Sequence, residues 1–392
     1  MVVLTDKDFP LRWGDTIPNE AFKGRRNITK VYIPSRIRKI GHSAFSDCSG
    51  LTELHLPDTL TEIGYRAFYW CLWLTGLRLP DTLTKIGDGA FYGCYGLTEL
   101  KLPGTLTVIG KWAFDGCSGL TELRLPDTLI EIGGRAFAFC SGLTELSLPD
   151  TLTVIGFSAF YKCSGLTELK LSGTLTKIGN YTFCECAGLT ELMLPDTLTY
   201  IGKGAFDGCS GLTELRLPET LTYIGERAFA GCSGLTELRL PRSIKSLGAE
   251  VFLNCTSLRN LSMYSIIQFE LSFSSGGVIY HQFKGCTSLK SIYAPPEVSL
   301  RFPEDMFEGC GTPVSTLLAN ATLDLGLWYY CTRKNYQLFS LVNRKAVLTL
   351  LLVNNRFNSY SELKKKDVSR GLPIELWFEI LSFVCRHQLG RK

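Results

Sequence analysis

Residues 117–139 read CSGLTELRLPDTLIEIGGRAFAF, from Cys117 to Phe139, and the segments on either side repeat them almost word for word. Phenylalanine returns at Phe22, Phe45, Phe68, Phe91, Phe114, Phe137, Phe160, Phe183, Phe206, Phe229 and Phe252, always 23 residues apart. The other columns keep step: Ile40-Gly41 recurs through to Ile224-Gly225, and a cysteine stands three residues after each phenylalanine from Phe45 on. One unit is therefore C-S-G-L-T-E-L-x-L-P-D-T-L-T-x-I-G-x-x-A-F-x-G, and a period of this length is the signature of a stacked repeat architecture.

Within the unit, Leu123 and Leu125 alternate with Glu122 and Arg124, the period of two of a strand with one buried face. Pro126 cannot donate to a sheet ladder and ends that strand. A unit this small cannot bury its Leu, Ile and Phe alone, so successive turns must stack them into one continuous core. The expectation is a repeat solenoid with one short parallel strand per 23-residue turn and about twelve turns, roughly 55 to 60 Å long at a strand spacing of about 4.8 Å.

L-T-E-L-x-L-P combined with I-G-x-x-A-F-x-G-C resembles the BspA-like class of leucine-rich repeats over about residues 17–310. The resemblance implies a leucine-rich-repeat rod used in surface adhesion or protein interaction, in many members outside the cell. The chain divides into a lead-in over 1–16, the solenoid over 17–311 and a C-terminal segment over 312–392. The array is irregular at 264–282. Phe252 to Phe283 spans 31 residues instead of 23, and Phe273-Ser274-Ser275-Gly276-Gly277 reads as a loop bulging from its turn. At the other end Arg25 stands where later turns carry cysteine, as suits a capping turn.

Ten cysteines share one register, from Cys48 to Cys255. In such a row the side chains lie parallel and do not aim at one another, so reduced core thiols are the reading. Zinc ligands 23 residues apart would form a row instead of a tetrahedron. Only Cys184 and Cys186 are close in sequence, and no histidine accompanies them, so no metal or other cofactor is expected. His42, His55, His281 and His387 belong to no catalytic pattern, and the recurring glycines serve turns instead of a phosphate cradle. The chain reads as no enzyme.

The net charge of +4 is uneven: after Cys331 there are 12 basic against 4 acidic residues, which leaves the preceding chain at −4. Lys364, Lys365 and Lys366 sit beside Asp367 without interleaved aromatics, so a solvated linker is read there and no nucleic-acid partner. MVVLTDKDFPLRWGD has no signal-peptide pattern, and the longest late apolar run, Ala346 to Val353, is too short to span a membrane. A cytoplasmic protein is expected.

Two candidate recognition surfaces remain. Glu53, Glu99, Glu122, Glu145, Glu168, Glu191, Glu214 and Glu237 form one exposed column, and two residues on runs the column His55, Arg78, Lys101, Arg124, Ser147, Lys170, Met193, Arg216, Arg239. The two charges offset each other diagonally across strands, either as a solubilising ladder or as a face that reads a partner. The other surface is a departure from the repeat: Trp73 replaces the usual glycine, and Tyr69, Trp70, Leu72, Tyr92 and Tyr95 gather around it. Such an aromatic patch is either a protein contact or local repacking of a loop.

Beyond Cys331 the repeat is lost. Asn335 to Phe357 reads as an apolar helical stretch, and residues 373–384 as a helix opened by Pro373. The run from Leu372 to Val384 resembles the first helix of an F-box. Membership would imply docking to a Skp-type ubiquitin-ligase adaptor through Leu372, Pro373, Leu376, Ile380 and Leu381, with the solenoid choosing the substrate. A helical cap packed on the last turns is the other reading.

Overall fold

A computed structural model describes residues 1–263, 268–269, 272–274, 277–279, 281–293 and 304–312. They form a parallel β-solenoid of about 11 turns with about 23 residues per turn. The pairing follows the repeat period directly. Glu122, Leu123 and Arg124 sit beside Glu145, Leu146 and Ser147, and those beside Glu168, Leu169 and Lys170.

Each regular turn carries two strands, not the single one expected. Beside the strand Glu122–Arg124 runs a second, Glu131–Ile132, paired in parallel with Val154–Ile155. Its alternation, an exposed residue before a buried isoleucine, lasts two residues before Gly133 ends it, too short to register as a periodic pattern. The glycine is required there: a Cβ on Gly133 would stand 2.5 Å from the Lys111 nitrogen of the preceding turn. The first strand is also shorter than the alternation from Leu120 to Leu125 implied.

In the regular turns the third side of the coil is built of turns, and a 3-10 helix stands there only at Glu304–Phe307 among the described residues. Arg135, Phe137 and Phe139 donate their N–H groups to the carbonyls of Phe157, Ala159 and Tyr161 in the next turn, while Ala136, Ala138 and Cys140 donate back within their own turn. Two residues per turn reach this path only with positive φ, Arg135 at 57° and Phe139 at 58° in the turn quoted above. Positions at which glycine is free and other residues are strained thus recur at every level of the rod.

Inside, the phenylalanines form one column from Phe22 to Phe307. Neighbouring rings lie 5.0 to 5.6 Å apart at 4 to 12° between planes, an offset stack that carries more than its buried area. Each cysteine is placed by the same column: Cys140 Sγ donates to the Phe114 carbonyl at 3.4 Å, and the pattern holds from Cys48 to Cys310. Burial pushes these thiols up, Cys94 to about 12, so they stay protonated and inert. Threonine hydroxyls tie the outer rim together. Thr167 donates to the Thr144 carbonyl, and Thr128 to the carbonyls of Gly104 and Leu106.

The first sixteen residues are part of the array. Val2–Leu4 pairs with Ile28–Tyr32, and Phe9 and Trp13 meet Phe22 edge-on at 5.5 and 5.7 Å, so the column ends on rings turned across its axis. Within 264–282 the described residues form an antiparallel pair, Ser272–Ser274 with Gly277–Ile279, that the sequence pattern did not indicate. Parallel stacking resumes with Ser291–Tyr293 on Asn260–Ser262. The expected helices over 335–357 and 373–384, and with them Leu372, Pro373, Leu376, Ile380 and Leu381, lie outside the described residues.

Because each ring touches the ring above and below, Phe137→Ala leaves a cavity that the rigid coil cannot close. It should cost about 3–5 kcal/mol in urea unfolding, and Phe137→Leu clearly less. Equal losses for both would remove the stack from its supporting role.

Candidate functional surfaces

The strand face presents the two charged columns as expected. Arg78, Lys101, Arg124, Arg216 and Arg239 all occupy exposed strand positions, each across an inward leucine, half-buried at Leu100 and buried in the other four, from its glutamate or glycine partner. The diagonal pairing does not form along the centre. Among the described residues Glu122, Glu145, Glu168, Glu191 and Glu214 make no ion pair, because the in-register side chains extend into water, where a contact is worth too little to fix them. Pairing occurs at the N-terminal end, where Glu53 meets Lys30 and His55 at 2.6 Å and takes a hydrogen bond from Tyr32. The Lys30 bond, then those of His55 and Tyr32, hold its carboxyl down to about 2. Over the middle turns the face bounds a trough of about 1290 Å³ lined from Glu122 to Arg216. Met193 stands in it, 74% exposed.

The aromatic patch lies elsewhere, on the turn that follows each phenylalanine, so the two predicted sets are not brought together. Tyr69 and Tyr92 stack at 4.9 Å, and Trp70 meets Tyr95 edge-on at 6.3 Å. Trp73 is 64% exposed, while Leu72 is half-buried. The Arg66 guanidinium lies 4.8 Å over both Tyr65 and Tyr69. Trp70 has φ of 59° at the column where Gly93 and Gly116 serve the next two turns. Its ring rests on the bare backbone below: a Cβ on Gly93 would stand 3.2 Å from Trp70 Cδ1. A bulky residue in the left-handed region rests on the repeat's own glycine one turn on, a contact that the sequence reading did not see.

The reading also missed a second cluster three turns on. Phe139 replaces the same glycine and packs edge-on against Tyr161 at 5.4 Å, between the Arg135 guanidinium and the Lys162 ammonium. Arg135 Nε donates to Asp115 Oδ2 at 2.9 Å, and Asp115 is only 2% exposed. Burial raises the Asp115 carboxyl, and the bond from Arg135 pulls it back. The signal was available: Phe139 breaks the repeat as Trp70 does. Among the described residues no group of three or more His, Cys, Asp or Glu could hold a metal ion, and no helix is long and apolar enough to cross a membrane.

Fold and surfaces together define a leucine-rich-repeat solenoid. The model of the BspA type leucine rich repeat region matches residues 15–141, 84–193 and 176–312, and the chain belongs to that family. It is similar to a leucine-rich repeat protein from Bacteroides ovatus, at 28% identity over 64% of this chain and 82% of that one, with a TM-score of 0.39. A leucine rich cell surface protein from Faecalibacterium prausnitzii is 25% identical over 71% of this chain and 78% of its own, TM-score 0.45. The leucine rich repeat protein of T. pallidum is 30% identical over 54% and 92%, TM-score 0.42. None of the curated proteins matches the chain. The family's fold is generally used for protein–protein interaction, and no catalytic family is indicated.

Gly93→Ala places a methyl against the Trp70 ring at a residue with φ of 71°. It should cost about 1–2 kcal/mol and shift tryptophan emission to the red as the ring lifts off. Gly76→Ala, with nothing within 4 Å of its Cβ, should do neither. The same response from both would show that Trp70 does not rest on Gly93.

Proposed function

We propose that the chain is a non-enzymatic interaction scaffold that recognises a protein partner through the patch of Tyr69, Trp70, Leu72, Trp73, Tyr92 and Tyr95. The basic column of Arg78, Lys101, Arg124, Arg216 and Arg239 on the strand face steers the approach. The observation that carries this reading is Trp70: 40% exposed and in a left-handed conformation, it stands where glycine would cost the turn nothing. Strain kept in place of a cheaper residue points to a use for the side chain, and exposed Trp and Tyr concentrate binding energy at protein contacts. The free thiols directed at carbonyls fit a reducing, cytoplasmic setting.

The run from Leu372 to Val384 favours a second reading, in which the chain is a ubiquitin-ligase substrate receptor docking a Skp-type adaptor. Removing residues 313–392 separates the two, since adaptor capture is lost on truncation only in the second.

Replacing Trp70 and Trp73 together by glycine should abolish capture of the protein partner while the melting temperature holds or rises, as glycine relieves the strained φ. Partner capture that survives in a folded double variant would sink the patch as the recognition surface.

A further inference from the structure

The loop side of the rod carries a groove of about 990 Å³ that begins at Tyr92 and Tyr95, where the aromatic patch ends, and runs to Arg227. Six steps of the repeat separate these limits, about 29 Å along the axis at a spacing of about 4.8 Å. Its walls are uneven. Tyr95 stands exposed at one level, Gly116 and Ser118 leave the next level open, and Phe139, 38% exposed, closes the slot one level further on.

The charges lining the groove are paired, with one carboxylate in excess: Asp115, Glu185 and Asp207 against Lys162 and Arg227. Arg135 pairs with Asp115 at 2.9 Å and Lys162 with Glu185 at 3.3 Å, while Arg227 is shared between Asp207 at 3.1 Å and Glu250 at 2.8 Å. Each pair keeps hydrogen-bonding capacity to spare. Asp115 Oδ1 receives no hydrogen bond from a described residue, and the Arg135 guanidinium spends only Nε on the carboxylate. Ser118, Ser141 and Ser164 add hydroxyls along the same line. A free anion would meet no net positive charge here. An extended peptide would find no open strand edge, because the backbone N–H groups of Gly116 and Phe139 are already given to Ala138 and Tyr161.

We propose that this groove binds a linear, uncharged oligosaccharide lying along the rod axis. Each sugar hydroxyl both donates and accepts, which matches carboxylate–guanidinium pairs that offer both functions with no net charge. The apolar C–H faces of the sugar rings lie on Tyr95 and Phe139, as apolar ligand surface lies on aromatic walls elsewhere. Phe139 holds its ring in a left-handed conformation, as Lys162 and Glu185 do in the next two turns, where Gly93, Gly116 and Gly208 occupy the equivalent position. The three residues that accept this strain in place of glycine all line the groove, and their use there accounts for it. This site goes beyond the protein-recognition reading, with which it shares Tyr92 and Tyr95, and Phe139, outside that patch, tells the two apart.

Isothermal titration of the full chain with cellohexaose, xylohexaose and mannohexaose tests it, with decaproline as the peptide counter-probe. At least one hexasaccharide should bind saturably. Its Kd should weaken about ten-fold in Phe139→Gly and again in Asp115→Asn, the loss of one aromatic or one hydrogen-bonding contact. It should stay unchanged in Arg124→Ala on the strand face. Phe139→Gly installs the turn's own default residue, so it stays folded, with an unchanged or raised melting temperature as the check. No hexasaccharide binding at millimolar concentration, a Kd indifferent to Phe139→Gly, or binding of decaproline in place of the sugars would each overturn the proposal.

Discussion

Every turn of this rod must fall in register with the next, because the stack of phenylalanine rings has one spacing and nothing else in the interior can vary around it. A ring that stacks on its neighbours at 5.0 to 5.6 Å fixes the rise per turn. That rise brings each cysteine thiol under the phenylalanine carbonyl of the preceding turn and each threonine hydroxyl under a carbonyl at the rim. The glycine after each isoleucine is then compulsory, since the preceding turn's backbone occupies the space a side chain would need. The 23-residue period is the chemical trace of this single distance. At the N-terminal end Phe9 and Trp13 turn across the axis and give the column a surface on which no further ring stacks.

A core so uniform leaves recognition to the exterior, and the exterior is not uniform. Two positions per turn carry positive φ, and the chain fills them unevenly, with glycine in some turns and with Trp70, Trp112, Phe139 or Tyr181 in others. At these places the repeat accepts strain, and at Trp70 a glycine one turn on makes the room. The strand face behaves differently. Its charges stand in parallel rows with few bonds between them, which supports solubility and long-range steering more than a fixed contact.

Much of this was legible in the amino-acid sequence. The phenylalanine column, the buried leucines of Glu122–Arg124 and its neighbours, the unpaired cysteines and the grouping of Tyr69, Trp70, Tyr92 and Tyr95 follow from periodicity and from departures from it. The second strand at Glu131–Ile132 does not, because two residues make no period. The antiparallel pairing of Ser272–Ser274 with Gly277–Ile279 was hidden because serine and glycine are equally at home in a loop. Asp115 and Arg135 are 20 residues apart and meet only when turns stack, so the groove that Asp115 lines depends on a pairing that no local pattern encodes. The departure at Phe139 was visible, yet its meaning depends on knowing that the column needs positive φ.

The most direct measurement of the stacked register is a set of pulsed electron–electron distances between spin labels carried on encoded residues at positions 99, 145, 191 and 237 of the glutamate column. In-register stacking predicts separations that grow evenly, by about 10 Å for every two turns at a strand spacing of about 4.8 Å. Distances that scatter, or that fail to increase from one pair to the next, would contradict the stacking on which the core, the patch and the groove are all built.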